Sequence, residues 1–174
     1  MNENIDKIAK DYAIKCHTET NHLYDNRPYQ THLNLVVSAM ERFSHLIPEK
    51  DRLLVRAACW VHDVIEDCRQ TYNDVKKVCG EEVAEIAYAL TNEKGKNRKE
   101  RASDKYYQGI LDVKYASFVK LCDRIANMEY SHETGNRMFE MYCKENGEFV
   151  KKVSKPEYDE MVIYLLRYST RKFN

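Results

Sequence analysis

The sequence predicts an all-α fold. Glycine and proline, the residues that most often interrupt helices, are scarce, with five glycines and three prolines among 174 residues. No segment alternates apolar and polar residues over the length of a strand, whereas stretches such as 53–60 are apolar in the manner of a buried helix. These observations favour a helical bundle with few or no strands.

The helices can be assigned in order along the chain. Thr71 followed by Asp74 is typical of a helix N-cap, and Gly80 marks a break before the next helix. The charged stretch 92–101 is the one strongly polar segment and is predicted to contain a mobile loop. The predicted helices span 4–18, 29–46, 50–66, 71–78, 80–92, 97–110, 112–130, 136–151 and 155–169.

Length and composition limit the classes of function. A chain of 174 residues suits a single domain, predicted over 1–174, and its 28 basic and 28 acidic residues cancel. No bulk charge therefore draws the protein to nucleic acid or to a membrane surface. The six cysteines never form Cys-x-x-Cys, which favours free buried thiols over disulfides or a zinc site. With no apolar leader and no uninterrupted apolar stretch of membrane-spanning length, we expect a cytoplasmic protein. The oligomeric state is left open.

Four polar side chains stand close together at 61–67, directly after the apolar run 53–60. His62, Asp63, Glu66 and Asp67 follow the spacing i, i+1, i+4, i+5, which places them on one side of a helix. A pair of carboxylates beside a His-Asp dipeptide suggests a site that holds a cation and moves protons. The alternative is a solvated acidic helix face with a hydrogen-bonded histidine.

Two further residues, on other predicted helices, extend this set. His32 precedes an apolar helical run, and Asp123 lies within 118–128. Taken alone, His32 could be a helix-start histidine bonded to backbone, and Asp123 could be an ion-pair partner of Lys120 or Arg124. Together with His62 and Asp63 they form an ordered H...HD...D pattern.

The ordered motifs resemble the HD superfamily of metal-dependent phosphohydrolases. More narrowly, HDVIED at 62–67 and KLCDRIANM at 120–128 are similar to the HDVxED and KLADRLxNM motifs of Rel/Spo-type (p)ppGpp hydrolases and their small stand-alone relatives. RPYQTH at 27–32 and the Lys15-Cys16-His17 segment match the PYxxH and KH blocks. The resemblance covers residues 5–132 and implies an all-α HD-domain bundle with a metal centre in a cleft between helices. Residues 133–174 match no motif and are expected to form closing helices.

The resemblance implies the metal ligands and the metal. Mixed nitrogen and oxygen ligands suit manganese, iron or zinc better than magnesium or calcium alone, and the family favours Mn²⁺, with Fe²⁺, Zn²⁺ or Mg²⁺ as alternatives. A metal of this kind acidifies water and polarises a phosphoryl group. The family assigns general acid and base work to Glu66 and Asp67, and which of the two holds the proton stays open. The implied ligands are His32, His62, Asp63 and Asp123.

Substrate contacts are less specific. The candidates flank the first and last ligands, at Arg27, Tyr29, Lys120, Arg124 and Asn127. Lys120 and Arg124 could equally form structural ion pairs. Cations at 94–101 (Lys94, Lys96, Arg98, Lys99 and Arg101) could contact a second phosphate group, or could belong to a solvated loop. In the family the segment before PYxxH is a basic loop, whereas residues 18–27 carry one positive side chain, Arg27.

The predicted function is metal-dependent hydrolysis of a small nucleotide, foremost the 3'-pyrophosphate of (p)ppGpp, giving GDP or GTP and pyrophosphate. Because the loop of residues 18–27 carries a single positive side chain, a second enzymatic function stays an alternative: a phosphatase for a deoxynucleoside monophosphate or NADPH. A non-catalytic, metal-containing nucleotide sensor is the third alternative, and the intact pair of Glu66 and Asp67 argues against it.

Overall fold

The computed structural model describes residues 4–92, 96 and 98–171, and Lys94 therefore lies outside the described residues. These residues form an all-α bundle with one two-stranded antiparallel hairpin and three short 3-10 helices. The 3-10 helices are Ser44–Leu46, Glu49–Asp51 and Pro156–Tyr158. The other elements are α1 (Ile5–Glu19), β1 (Leu23–Tyr24), β2 (Arg27–Pro28), α2 (Gln30–Arg42), α3 (Arg52–Val61), α4 (Val64–Asp67), α5 (Tyr72–Cys79), α6 (Glu81–Leu90), α7 (Arg98–Arg101), α8 (Asp104–Asp112), α9 (Ala116–Glu133), α10 (Met138–Val153) and α11 (Asp159–Tyr168).

The core lies between α2, α3 and α9. Helix α9 packs against both α2 and α3, while α1 covers α3 and α10 covers α9. In α9 the fully buried side chains include Leu121 and Ile125, and in α2 they include Leu33. Truncating one such side chain to alanine typically costs about 2–5 kcal/mol of stability. The three helices that carry these motifs are therefore anchored in the core of the bundle.

Local signals explain several helix ends. The Asp74 backbone N–H donates to Thr71 Oγ1, and the Thr71 N–H donates to Asp74 Oδ2 at 2.8 Å, which confirms the predicted N-cap of α5 as a capping box. Gly80 has φ +88° and separates α5 from α6, as predicted. Before α8, Ser103 Oγ accepts the Tyr106 N–H.

Several predicted helices are interrupted. The single helix predicted over 50–66 is wrong, because α3 ends at Val61 and α4 begins at Val64, although His62 and Asp63 keep right-handed helical dihedral angles. His62 Nδ1 lies 2.9 Å from the carbonyl oxygen of Cys59, which a continuous helix would offer to the Asp63 N–H, so the ring competes with the helix for that acceptor. The helices predicted over 29–46, 97–110 and 155–169 are likewise divided: α2 ends at Arg42, α7 and α8 are separate, and α11 follows a 3-10 turn. The hairpin of β1 and β2 was not predicted.

All six cysteines are free, five of them buried, as expected, and Cys143 is half-buried. None of the helices in the described ranges combines the length and apolar character that a bilayer crossing requires. Helices α10 and α11, from the segment that matches no motif, pack on α9.

Candidate metal centre and active-site cleft

Three helices bring two histidines and an aspartate to one point. His32 Nε2, from the first turn of α2, lies 3.4 Å from His62 Nε2 and 3.3 Å from Asp123 Oδ1 of α9. His62 Nε2 and Asp123 Oδ1 are 3.9 Å apart. The ligand-capable atoms of these three residues all lie within 4.8 Å of one another, and both histidines are buried. This group could hold a metal ion.

Asp63 borders the same group. Its Oδ2 atom lies 2.9 Å from His62 Nε2 and 3.7 Å from His32 Nε2, and it accepts a short hydrogen bond from the Tyr29 hydroxyl. Ligand atoms bound to one ion at about 2.0–2.3 Å are themselves about 3–4 Å apart. The spacings between His32, His62, Asp63 and Asp123 therefore suit a single divalent cation.

The tautomer of His62 fits a ligand role. Its Nδ1 lies 2.9 Å from the Cys59 carbonyl oxygen, which can only accept, so the ring proton is on Nδ1. When the ring is neutral, the lone pair on Nε2 then points at His32 and the carboxylates. A histidine oriented by a backbone carbonyl in this way is the usual arrangement around protein metals.

Charge at this point is balanced by the protein itself. Burial alone would lower the pKa of His62, but the Asp63 and Asp123 carboxylates raise it to about 9. Burial would raise the pKa of Asp123, yet the ammonium group of Lys120 and the two imidazoles hold it well below its usual range. These carboxylates thus favour the protonated form of His62.

Asp123 is also oriented by hydrogen bonds. The Asn127 amide donates to Asp123 Oδ1 at 2.6 Å, and Lys120 Nζ donates to Asp123 Oδ2 at 2.9 Å. Asn127 is fixed in turn by the Tyr24 hydroxyl, which donates to its Oδ1 at 3.0 Å from the β1 strand. Lys120 and Asn127 therefore contact Asp123 directly, in addition to lining the cleft described below.

The two remaining acids of the 62–67 motif have different surroundings. Glu66 accepts the backbone N–H of Asn92 at 3.1 Å and two bonds from the Asn92 amide at 3.0 Å. Asp67 has no such donor among the described residues and lies 3.6 Å from His22 Nδ1. Burial, together with the negative charges of Asp63 and Glu66, raises the pKa of Asp67 to about 7. Asp67 is therefore partly protonated near neutral pH.

A cleft of about 700 Å³ opens over these groups. On one side it exposes His32, Asp63 and Asp123 with Glu66 and Asp67, while His62 lies behind them. The remaining lining comes largely from α8, α9 and α10 and combines aromatic and cationic side chains with the acidic Glu145 and Glu148. It includes Arg101, Tyr107, Tyr142, Lys144, Phe149 and Lys152.

Scans of the sequence against protein-family models and against curated proteins give no match. A search of solved structures matches a metazoan ortholog of SpoT that hydrolyzes ppGpp and plays a role in starvation responses. The likeness covers 98% of this chain and 98% of that chain, with a TM-score of 0.69 at 17% sequence identity. The chain has the fold of that Rel/Spo-type HD domain. The fold expected from the motifs is thereby confirmed, as an all-α HD-domain bundle.

Four of the five residues predicted to contact the substrate line the cleft, and one does not. Tyr29, Lys120, Arg124 and Asn127 all line the cleft. The guanidinium of Arg124 is buried against the Tyr142 and Phe149 rings, 4.7 and 4.2 Å from their centroids, and pairs with Glu145 at 3.3 Å. Arg27 is exposed in β2 and is not part of the cleft lining, so the structure does not bring it to the site.

The charged stretch 94–101 contributes one described side chain to the cleft, Arg101 of α7. Lys96 is exposed and does not line it. Lys94 lies outside the described residues, and the side chains of Arg98 and Lys99 are not described. Sequence reasoning missed Tyr24 and Asn92, because neither stands in a motif.

Proposed function

We propose that the protein is a divalent-cation-dependent phosphohydrolase acting on a nucleotide, with the 3'-pyrophosphate of (p)ppGpp as its substrate. The observation that carries the proposal is a metal-capable group beside an acid, Asp67, whose pKa is raised to about 7, at the base of a cleft. A solvated acidic face would not bury two imidazoles against two carboxylates. The motif resemblance and the shared fold support the same reaction class.

In this proposal His32, His62, Asp63 and Asp123 hold the cation, preferably Mn²⁺, which would acidify a water and polarise the phosphoryl group. Tyr29 and Asn127 fix the orientation of Asp63 and Asp123 through their hydrogen bonds. These contacts pre-organise the carboxylates, so that binding requires little rearrangement.

Asp67 is assigned the role of general acid, donating its proton to the ribose 3' oxygen as the bond to phosphorus breaks. An acid with a pKa near 7 is suited to this role, because it is protonated in a large fraction of molecules yet transfers its proton readily. Glu66, which already accepts three bonds from Asn92, is assigned the acceptance of the proton of the attacking water. GDP or GTP and pyrophosphate would be the products.

Cations further along the cleft would favour a substrate with a second phosphate group. Arg101 and Lys144 line the cleft and make no ion pair with another described residue. When the 3' phosphates of a nucleotide bind at the metal centre, these two cations would be placed to bind its 5' phosphates. This arrangement favours ppGpp over a monophosphate.

One observation supports the alternative function, a phosphatase for another nucleotide. Arg27, the lone basic side chain of residues 18–27, lies outside the cleft, so that loop brings no cation to a nucleotide. A phosphatase for NADPH or a deoxynucleoside monophosphate would need fewer cations there.

The test is a product assay on the purified protein with added Mn²⁺, using ppGpp, NADPH and deoxynucleoside monophosphates in parallel. The expected result is release of pyrophosphate and GDP from ppGpp. Phosphate release from NADPH or a monophosphate, without hydrolysis of ppGpp, would transfer the proposal to the second enzyme. Turnover of none of them, with Mn²⁺ bound, would favour a sensor. His45→Gln is a suitable control, because His45 is exposed and pairs with Glu160 outside the cleft.

A further inference from the structure

A pair of histidines next to Asp67 has no role in the proposed chemistry so far. Helix α1 ends in a Schellman motif: Asn21 adopts φ +52°, its N–H donates to the Thr18 carbonyl at 3.1 Å, and the His22 N–H donates to the His17 carbonyl at 2.9 Å. This motif brings the side chains of its first and last residues together. His17 and His22 are thus neighbours because of the way the helix stops.

The two imidazoles are joined by a hydrogen bond and share one aromatic neighbour. His17 Nδ1 and His22 Nδ1 are 3.0 Å apart, so one of the two atoms carries a proton that lies between the rings. Both rings stack on Tyr29, each with its centroid 4.1 Å from that of the tyrosine. The same His22 Nδ1 lies 3.6 Å from Asp67 Oδ2, within reach after a small side-chain movement.

The two histidines differ in their access to water. The His17 side chain is buried, its Nε2 finds no partner among the described residues, and burial lowers its pKa to about 3, so it stays neutral. The His22 side chain is 32% exposed. Neither histidine lines the cleft, whereas Asp67 does. A substrate that fills the cleft would therefore cover Asp67 and leave His22 in contact with solvent.

We propose that His22 relays protons between solvent and the Asp67 carboxyl group while the cleft is occupied. After Asp67 has given its proton to the leaving oxygen, the His22 Nδ1–H bond breaks as an O–H bond forms on Asp67. A hydronium ion of the solvent protonates His22 Nε2, and the ring is left neutral in its other tautomer. One proton thus passes from solvent to Asp67 with no net change in the charge of His22, and the ring regains its first tautomer by proton exchange with solvent before the next turnover. The inference rests on the proposed function.

The surroundings of His22 allow this exchange. The titratable groups that face it are His17 from α1, Asp67 from α4, Tyr29 before α2 and, at longer range, Asp63 and His32. Tyr29 donates its proton to Asp63, and its pKa is raised well above its usual value, foremost by burial, so it cannot take part near neutral pH. His22 is the member of this cluster that has both a ring nitrogen beside Asp67 and a share of its surface in water.

Two variants separate a relay from a packing role. His22→Phe keeps a ring that can stack on Tyr29 and removes both nitrogens, and His45→Phe is the matched control on the exposed surface. In saturating ppGpp and Mn²⁺, His22→Phe should lower kcat about tenfold or more with KM and bound Mn²⁺ unchanged, because general acid–base steps are worth about 10²–10⁴-fold in total. His22→Ala leaves the place of the ring open, so added imidazole should restore much of kcat in that variant and change nothing in His45→Phe. A kcat of His22→Phe equal to that of the unaltered protein, or a loss in His22→Ala that imidazole does not restore, would overturn the relay.

A second measurement does not depend on turnover. Side-chain ¹⁵N spectra of the histidines, recorded across pH, report the protonation of each ring in the intact protein. In the unaltered protein the His22 ring signals should change a second time near pH 7, where Asp67 ionises beside Nδ1; Asp67→Asn should abolish this second change and leave His45 unchanged. Identical His22 titrations in both proteins would refute the relay even if ppGpp proves not to be the substrate. If the titration moves but no nucleotide is hydrolysed, the proposed function fails and the coupling of His22 to Asp67 stands.

Discussion

Raising the pH from 7 to 9 should tighten Mn²⁺ binding by roughly a hundredfold. In the metal-free protein the Asp63 and Asp123 carboxylates outweigh burial and raise the pKa of His62 to about 9. The imidazole is therefore protonated at pH 7, and a cation can bind Nε2 only after this proton has left. About two pH units separate pH 7 from that pKa, which at about 1.36 kcal/mol per unit amounts to about 2.7 kcal/mol. Affinity should rise about tenfold per unit and become constant above pH 9.

Titration calorimetry under anaerobic conditions, in buffers of different ionisation enthalpy, measures both the affinity and the protons released. Close to one proton per Mn²⁺ should leave the protein at pH 7, and close to none above pH 9. His45→Gln should follow the same curve, because His45 pairs with Glu160 at the surface. An affinity that is constant between pH 7 and 9, with no proton release, would show that His62 is already neutral and that the balance of charge inferred for this cluster is incorrect.

Three further predictions concern the same cleft. Glu66→Gln or Asp67→Asn should leave the Mn²⁺ content nearly intact and lower turnover by about a hundredfold or more, whereas His62→Ala should lose both metal and turnover. Metal analysis of each variant, together with its kinetics, tests this prediction. Equal loss of metal in all three variants would place Glu66 and Asp67 among the metal ligands. Asn127→Ala should weaken Mn²⁺ binding by about 10–100-fold in calorimetry, because Asp123 loses a 2.6 Å hydrogen bond, and unchanged affinity would contradict that orienting role. Neutralising Arg101 and Lys144 together should raise KM for ppGpp with less change in kcat. A second variant, neutralised at Lys94, Lys96, Arg98 and Lys99, tests the sequence-based prediction for the charged stretch 94–101. Unchanged kinetics in both variants would mean that these cations are only solvated.

The motifs predicted which residues meet, because side chains on short, ordered motifs converge once three helices pack together. His32, His62 and Asp123 come from α2, the end of α3 and α9, and each is close to an apolar run that defines its helix. The all-α class followed from the scarcity of glycine and from the apolar runs. These features are local, so a single sequence contains them.

What could not be predicted depends on contacts between distant segments. The break at His62 arises because a nitrogen of its ring bonds the Cys59 carbonyl oxygen. The helix propensity of residues 50–66 does not predict this bond. Tyr24 supports Asn127 across 103 positions, and Asn92 meets Glu66 across 26. The protonation of Asp67 follows from burial and from its acidic neighbours, which only the folded chain brings together. The aromatic part of the cleft comes from α8 and α10, where the side chains match no motif.

Lys120 and the proton on His62 act as built-in counter-ions for the two aspartates. A zinc finger, by contrast, has too small a core to fold alone and stays unfolded until metal binds. In the proposed site the ligands are neutralised by the protein itself, so folding would not depend on the cation. The chain could fold first and bind a cation later. The ion bound at the proposed site would then depend on the ions available after synthesis, and exchanging one ion for another would not require the bundle to unfold.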